Sequence, residues 1–290
     1  QFQTGTLTLR IVDQNGDFNP LNPGSPYFEL LTPMKKVEIT ATYSSVTYPI
    51  FSGFITSYVN TQPADATEVA FTTITAVDAF RLGNLAQIST VTGATAGDLS
   101  GTRINQILDQ IDWPDTMRDI DAGLTTMQAD PGTARTSLQA MQTVTDSEYG
   151  ALYVDPTGSF TFQDRALTVS SIGATPTVFA DNGTGIRYAN AIWVLNDALV
   201  FNSATVSRVG GSPQTSTNAA SIAKYFLHSY NLQDLLMQTD AVALDYAQAY
   251  CSSRAETSIR CDAVELDLYT DNYNSGIIAA LDLDFFDPIT

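Results

Sequence analysis

The sequence predicts a mainly β protein with a small α+β insertion, and three features lead to this fold class. Apolar and polar residues alternate through positions 4–83, which is the period of half-buried strands. Two amphipathic helix patterns and one hairpin pattern follow at 100–166, and strand patterns resume near Tyr188. Thirteen tyrosines and fourteen phenylalanines, with abundant Thr and Ser, favour strands and turns throughout.

The first segment of the chain is predicted to hold a set of antiparallel strands. Their predicted bounds are 4–12, 36–43, 49–58 and 68–76. A cluster of Asn, Asp, Gly and Pro residues at 13–27 predicts tight turns after the first strand. Gly53 indicates a bulge or tight bend in the third strand. A short helix is predicted at 77–83, where the β pattern ends.

The middle of the chain predicts a small helix-plus-hairpin domain. Residues 89–101 are rich in Gly and Thr and are interpreted as a linker or boundary loop. Helices are predicted at 102–111 and 133–148 from apolar residues at helical spacing. The acidic stretch 115–130 between them is predicted to be loop-rich. Two short apolar runs around a Pro/Gly turn at 151–165 predict a β-hairpin.

The last segment returns to a β-rich pattern around one helix. After a predicted loop at 167–182, strands at 198–208 and 214–217 flank a tight turn. A helix is predicted at 239–255, and the alternation from Ala263 to Tyr269 predicts an outer strand. The chain begins inside strand-like sequence without an initiator Met and stops where another strand starts. We therefore expect the natural protein to be longer.

The composition excludes several classes of function. Lys and Arg number 13 against 31 Asp and Glu, which gives a formal charge of −18. Stable binding to a phosphate backbone needs clustered cations, and Lys35-Lys36 is the only adjacent basic pair. No apolar run approaches the about 20 residues that span a bilayer. We expect a folded acidic protein without stable membrane insertion in this segment.

Few residues are available for catalysis, cofactors or metals. His228 is the only histidine and lies in an aromatic stretch, which favours a packed or surface residue over a catalytic base. Cys251 and Cys261 are interpreted as reduced, partly buried thiols, although the turn between them would also permit a disulfide. Phosphate-loop, dinucleotide, zinc-peptidase and esterase motifs are absent, and Gly97 to Ser100 has the wrong order for an esterase serine. No catalytic, cofactor-binding or metal-ligating residue is predicted, and no cofactor.

Paired carboxylates keep one catalytic alternative open. The pairs in question are Asp115 with Asp119 and Asp146 with Glu148. A glycan hydrolase needs two such groups across a groove. Among 31 acidic residues pairs of this kind arise by chance, so we interpret both as solvated surface.

The turn cluster after the first strand has the spacing of a calcium loop, with oxygen-bearing side chains at Asp13, Asn15, Asp17 and Asn19. The match fails at two positions that matter, because Phe18 stands at the turn glycine and Gly24 at the bidentate glutamate. The preferred interpretation is a turn built from residues that tolerate left-handed backbone.

An ordered series of short motifs runs through the chain. The stretch G-x-F-x-P-x-N-x-x-S-P-Y spans Gly16 to Tyr27. Later members of the series are Phe51, Gly53, Ile55, Ala76, Asp78, Asn218 to Ile222, Leu235-Leu236, Thr239-Asp240 and a helix up to Arg254. This series resembles the minor tail proteins of long-tailed bacteriophages, in particular their tail-hub or tail-tip proteins. The resemblance covers most of the chain, more loosely in the middle.

The resemblance implies a baseplate-hub architecture with two tail-tube-like β-barrel domains that bracket the insertion. The implied domains are 1–88, 89–166 and 167–290, with the second barrel incomplete at its C-terminal end. It further implies a homotrimer, because three chains with two barrels each give a ring that matches a hexameric tube. The implied partners are a tail tube or distal tail protein, the tape measure protein and other tail-tip proteins, with DNA only in transit. The implied location is the virion tail tip, assembled in the host cytoplasm.

A ring of this kind would turn one face of each sheet toward the channel. The candidate channel-facing residues are Thr6, Thr8, Glu265 and Asp267, with Leu7, Leu9, Val264 and Leu266 packed inward. Carboxylates on the wall would repel DNA phosphates and let DNA slide. Two alternatives stay open, a cell-wall-degrading tail enzyme and a receptor-binding tail module. Tyr269 and Tyr273 are candidates for an exposed patch in the latter.

Overall fold

The computed structural model describes residues 2–63, 68–166, 175–267 and 273–290, and its first segment is a curled, half-barrel sheet. The four strands are β1 (Thr6–Val12), β2 (Lys36–Tyr43), β3 (Val46–Thr61) and β4 (Phe71–Val77). All neighbours are antiparallel and the spatial order is β1-β4-β3-β2, which leaves β1 and β2 at the edges. The strict alternation of exposed and half-buried residues along β1 and β2 confirms the strand patterns predicted there.

Two bulges in β3 curl this sheet, and Gly53 lies between them. The register shifts opposite Ile39/Thr40 and again between Ile55 and Ser57, because β3 has one extra residue at each place. Gly53 itself is paired with Val37 in the ordinary register. A Cβ there would lie 2.5 Å from the Val77 carbonyl oxygen, so glycine is required by close packing of backbone and not by a bulge.

The middle segment packs helices and short strands around the largest core of the described residues. Its elements are α1 (Ala79–Leu85), β5 (Gln87–Ile88), α2 (Ser100–Gln110), β6 (Arg118–Ile120), β7 (Arg135–Thr136), α3 (Ser137–Glu148), β8 (Ala151–Val154) and β9 (Phe160–Gln163). The helix α2 buries Ile104, Ile107 and Leu108 completely, as its periodicity predicted. The predicted hairpin is present as β8 and β9, and β6 joins it in parallel to β9.

Tertiary contacts hold two polar stretches of the middle segment in place. Within 89–101, interpreted as a linker or boundary loop, Val91 belongs to the core and a Cβ at Gly101 would lie 1.7 Å from the Asp121 carbonyl oxygen. The loop-rich stretch 115–130 also contains the short strand β6, which begins at Arg118. These contacts join residues distant in sequence, so local patterns do not report them.

The described part of the last segment contains two small sheets and three helices. Its elements are β10 (Asn190–Val194), β11 (Ser203–Arg208), β12 (Gln214–Thr217), α4 (Ala219–Tyr225), β13 (Ser229–Leu235), α5 (Asp240–Ser253), β14 (Arg260–Glu265) and α6 (Tyr273–Asp282). One sheet has the order β12-β11-β13, with β11 and β13 parallel, and the other pairs β10 with β14. The helix α5 packs Ala243, Tyr246 and Tyr250 onto the three-stranded sheet.

The two barrels predicted for 1–88 and 167–290 are not confirmed, because the first segment forms a half-barrel with open edges. Across 175–267 and 273–290 the strands form separate sheets of two and three, and three helices accompany them. A backbone hydrogen bond links the last segment to the middle one, since the Gln128 N–H donates to the Leu236 carbonyl at 2.7 Å. Leu236 is part of the middle core. The boundaries at 88/89 and 166/167 stay predictions.

Candidate functional site

The face of the first sheet that turns away from its apolar side is rich in hydroxyl groups, and we call it the polar face. Its polar residues include Thr6, Thr8, Arg10, Lys36, Glu38, Thr40, Thr42, Ser57, Thr73 and Thr75, and the register places the apolar residues Val12, Phe54, Val59, Phe71 and Val77 on the same face. Thr6 and Thr8 are exposed while Leu7 and Leu9 are half-buried on the opposite side, as the alternation predicted. The register places Thr8 beside Thr75 and Arg10 beside Thr73, so hydroxyl groups of neighbouring strands lie next to each other.

Hydrogen bonds between side chains fix the polar face. The Thr75 hydroxyl lies 3.0 Å from that of Thr56 and 2.6 Å from that of Ser57. Thr42 and Thr47 make a cross-strand pair at 3.1 Å. At one end the middle segment covers the sheet, where the Phe54 ring lies 6.4 Å from Trp113. The rest of the face is open in the described structure.

The polar face does not have the negative charge that we expected for a channel wall. Arg10 and Lys36 are cations and Glu38 is the single carboxylate, and Lys36 bridges to Glu38 at 2.7 Å. The Arg10 guanidinium lies 3.8 Å above the Phe71 ring. The face is therefore close to neutral. Glu265 and Asp267 are exposed, with Val264 and Leu266 half-buried, but they lie on and beyond β14 in a different sheet.

The turn cluster after β1 is a chain of tight turns held by its own side chains. Backbone N–H groups of Gly16, Asn19, Asn22, Ser25 and Phe28 each donate to the carbonyl three residues earlier. The buried carboxylate of Asp13 accepts from the Phe18 N–H at 3.1 Å and from the Thr72 hydroxyl at 2.7 Å. Because Asp13 is committed to these donors, the alternating Asn and Asp residues act as turn formers.

The described residues hold no group of three or more His, Cys, Asp or Glu side chains arranged for a metal ion. His228 Nε2 lies 3.0 Å from the Tyr225 carbonyl oxygen and 3.9 Å from Asp197. Cys251 is buried in α5, and Cys261 is half-exposed on β14, where its Sγ donates to the Ala263 carbonyl; both are free thiols. In the described parts of the chain, no helix combines the length and apolar character that crossing a bilayer requires.

Glu148 is a buried hydrogen-bond acceptor. It is fully buried, and its Oε2 accepts from the Ser100 hydroxyl at 2.8 Å and from the N–H groups of Leu124 at 3.1 Å and Thr125 at 2.6 Å. Ser100 is therefore a structural donor. Asp146 stands two positions earlier on α3 and lines a groove, so it does not share the environment of Glu148.

The other predicted carboxylate pair is also separated. Asp115 is almost fully exposed in a single helical turn and lies 3.3 Å from Arg118. Asp119 is an exposed residue in the middle of β6. Tyr269 lies outside the described residues, as does the side chain of Tyr273, so a patch formed by them is untested.

A groove that the sequence did not reveal lies between α3, the β8–β9 hairpin and the end of α5. Its volume is about 580 Å³, and Phe2 and Phe286 close one side. Behind it Tyr153 packs on Phe2, Phe285 and Phe286, and burial together with nearby Asp284, Asp119 and Asp155 raises the pKa of Tyr153 to about 12. The walls come from 142–165, 249–254 and the two chain ends, so no local pattern could have predicted it.

Tyrosines join α3 to α5 beside this groove. The Tyr149 ring lies 4.9 Å from Tyr246 and 6.0 Å from Tyr250, and Tyr230 stacks on Tyr250 at 3.9 Å. Burial raises the pKa of Tyr246, Tyr230 and Tyr250 above the ordinary tyrosine value. These phenols therefore stay neutral at physiological pH and contribute packing and hydrogen bonds.

Comparisons with known proteins find similarity among solved structures. No protein-family model and no curated protein matches the sequence. The 43 kDa tail protein of prophage MuSo2 from Shewanella oneidensis has 14% identity and a TM-score of 0.47, over 87% of this chain and 70% of that one. A tail protein from Neisseria meningitidis MC58 has 10% identity and a TM-score of 0.48, over 72% and 61%.

The prophage tail protein gp18 from Listeria monocytogenes EGD-e has 13% identity and a TM-score of 0.41, over 79% of this chain and 65% of that one. The chain thus spans less than two thirds of the length of the Neisseria and Listeria proteins. All three are tail proteins, two of them from prophages. Tail proteins are also the class that the motif series of this chain resembles.

Proposed function

We propose that this chain is a structural component of a phage tail tip, a hub that forms a ring and extends or closes the tail tube. The observation that carries the proposal is the half-barrel sheet with its polar face. A tube wall needs strands that bury one side and present a polar, non-adhesive side to the channel. The first sheet has this division along β1 and β2, in the order of motifs that resembles tail hubs.

In this proposal the chain assembles as a homotrimer through the edges of its sheets. The strands β1 and β2 each have one unpaired edge in the described structure. An open edge carries N–H and C=O groups that a neighbouring strand can pair with. The partners proposed are further copies of the chain, the tube or distal tail protein, the tape measure protein and other tail-tip proteins.

DNA would pass through this ring without being held. The near-neutral, hydroxyl-rich polar face offers one net positive charge, from Arg10 and Lys36 against Glu38, so it supplies no cation cluster for phosphate. The overall charge of −18 adds weak long-range repulsion. Passage is therefore proposed to depend on the absence of strong contacts, with less electrostatic repulsion at the wall than the sequence suggested.

We further propose that the chain is not an enzyme. Of the candidate carboxylates, Glu148 is buried in hydrogen bonds to Ser100 and two backbone N–H groups, and the Asp115 and Asp119 pair is not gathered at a groove. Purified protein is expected to give no lytic band on a peptidoglycan zymogram. A band that disappears on Asp146→Asn would establish a hydrolase instead.

Electron cryo-microscopy of the assembled tail tests the structural role. The chain is expected at the distal end of the tube, in three copies around the axis. A single copy at the periphery of the tail, or a channel wall formed by other proteins alone, would contradict the proposal. Counting the copies per particle by quantitative mass spectrometry gives an independent value for the stoichiometry.

A further inference from the structure

The groove between α3, the β8–β9 hairpin and the end of α5 has the properties of a binding site. Its volume of about 580 Å³ falls in the range of sites that enclose small ligands. The groove contains no residue of the polar face, so the inference below is independent of the proposed ring. We refer to it as the α3–α5 groove.

Two buried polar atoms of the groove have no hydrogen-bond partner among the described residues. They are Oε1 of Gln163, an acceptor, and Nε of Arg254, a donor. The amide nitrogen of Gln163 is already fixed, because it donates to the Tyr153 hydroxyl at 2.8 Å. Gln163 and Arg254 thus bring an amide and a guanidinium group to the groove wall, where a ligand that both donates and accepts hydrogen bonds would be complementary.

The charged groups of the groove balance each other. Two arginines and two aspartates line it, namely Arg165, Arg254, Asp146 and Asp164. Arg165 forms an ion pair with the buried Glu148, since its Nε lies 3.7 Å from Oε1 of that residue. A strongly charged ligand would meet one pair of like charges whichever sign it carried. The arrangement therefore favours an uncharged ligand with many polar groups.

Aromatic rings form the rim of the groove. Tyr149 is 36% exposed and Phe286 is 40% exposed, and Phe2 lies beside Phe286. Tyr149 ends α3 in the left-handed conformation with φ of 62°, which swings its ring toward Tyr246 of α5. Rings at the mouth of a polar groove offer flat apolar surface next to hydrogen-bonding groups.

We propose that the α3–α5 groove binds a neutral oligosaccharide. A sugar hydroxyl donates and accepts through the same oxygen, so it can pair with the amide, guanidinium and carboxylate groups that line the groove. The C–H faces of a sugar ring match the exposed faces of Tyr149 and Phe286, while its lack of charge matches the balanced arginines and aspartates. A neutral peptide is the competing ligand, and it serves as a probe in the test.

Saturation-transfer difference NMR on the full 290-residue chain tests the proposal. The probes are N-acetylchitotetraose and maltotetraose as neutral oligosaccharides, a hyaluronan tetrasaccharide as a charged one, and an acetylated, amidated trialanine as the peptide. We expect a saturable signal from at least one neutral oligosaccharide, and at least tenfold weaker binding of the same sugar to Arg254→Met and to Tyr149→Asn. Asn tolerates the left-handed position of Tyr149, so this variant removes the ring and keeps the helix end.

Arg81→Met is the matched control, because Arg81 is an exposed arginine of α1 that does not line the groove. It is expected to bind the sugar as the unmodified chain does. Melting temperatures of all variants identify any that fail to fold, and in that case the titration of the unmodified chain decides. Three results would overturn the proposal. They are no signal from either neutral oligosaccharide, a signal from the peptide or hyaluronan alone, and sugar binding by folded Arg254→Met and Tyr149→Asn that equals binding by the unmodified chain.

Discussion

Replacing Glu148 by alanine tests the account of the middle core most sharply. The substitution removes the oxygen that accepts from the Ser100 hydroxyl and from the Leu124 and Thr125 N–H groups. Glu148 and Ser100 are fully buried and Thr125 is 2% exposed, so water does not replace the lost acceptor. Each buried donor left unpaired costs about 1–3 kcal/mol. Two of the three donors belong to the buried residues Ser100 and Thr125, whereas Leu124 is 51% exposed. Two unpaired buried donors give a destabilisation of about 2–6 kcal/mol.

The chain offers both a matched control and a local probe for this experiment. Glu148→Gln keeps a side-chain oxygen as acceptor and loses only the charge, so we expect a cost of about 1–2 kcal/mol. The chain has two tryptophans, of which Trp113 is in the middle core and Trp193 is 64% exposed. In a Trp193→Phe background, tryptophan fluorescence during urea unfolding reports on the middle core alone.

We expect the free energy of unfolding to be highest for the parent, lower for Glu148→Gln and lowest for Glu148→Ala. The alanine variant should also melt at least about 4 °C below the parent, at about 2–4 °C per kcal/mol for a chain of this size. An alanine variant within about 1 kcal/mol of the parent would refute the view that this carboxylate ties α2 and α3 to the intervening loop.

Three further predictions concern glycine packing, helix capping and pH. Gly53→Ala should speed amide hydrogen exchange in β3 and β4, because its Cβ would clash with backbone, whereas Gly83→Ala meets nothing closer than 3.5 Å and should be neutral or slightly stabilising. Thr136→Ala removes the capping box of α3 and should cost about 1 kcal/mol in the Trp113 assay; no change would contradict the cap. The Ser212 N–H and then Arg208 lower the pKa of Asp240 in the folded chain. The ionised carboxylate therefore stabilises the fold at pH values above its ordinary pKa of 3.8, and this stabilisation is lost as the pH falls through the lower folded pKa. Asp240→Asn should melt below the parent at pH 7 and at the same temperature as the parent at strongly acidic pH, and a difference that does not change with pH would be inconsistent with this assignment.

The sequence predicted the first sheet well because one face of each strand is buried and the other is not. The bounds of β2 agree with the alternation from Lys36 to Tyr43. Helices α2 and α3 were also found, because their apolar residues face a single core at helical spacing. The start of α3 lies four residues later than predicted, where Thr136 forms a capping box with Gln139 that the pattern of apolar residues does not mark.

Strands that pair with distant parallel neighbours were not predicted from the sequence. The strand β6 has only three residues and is defined by its pairing with β9, and β13 is defined by its pairing with β11. The helix α6 has ten residues, and an apolar stretch of that length does not by itself distinguish a helix from a strand. The barrel at 167–290 was implied by the family resemblance, and it is not confirmed.

The candidate site was predictable in polarity and not in charge or location. Alternation placed Thr6, Thr8 and Arg10 on one exposed face, but only the register brought Lys36 and Glu38 of β2 into the same surface. The α3–α5 groove could not be predicted, because Gln163 and Arg254 are separated along the chain and meet only through tertiary packing.

The most direct test of the central claim is to obstruct the polar face inside an assembled tail. Thr8→Cys, in a chain with Cys261→Ser, is labelled with a polyethylene glycol maleimide before tails are assembled, and Thr102→Cys on α2 is labelled as the control. If the polar face lines the channel, DNA ejection per assembled particle should fall sharply for the Thr8 label and stay unchanged for the Thr102 label. Normal ejection from particles that carry the label at Thr8 would contradict the account.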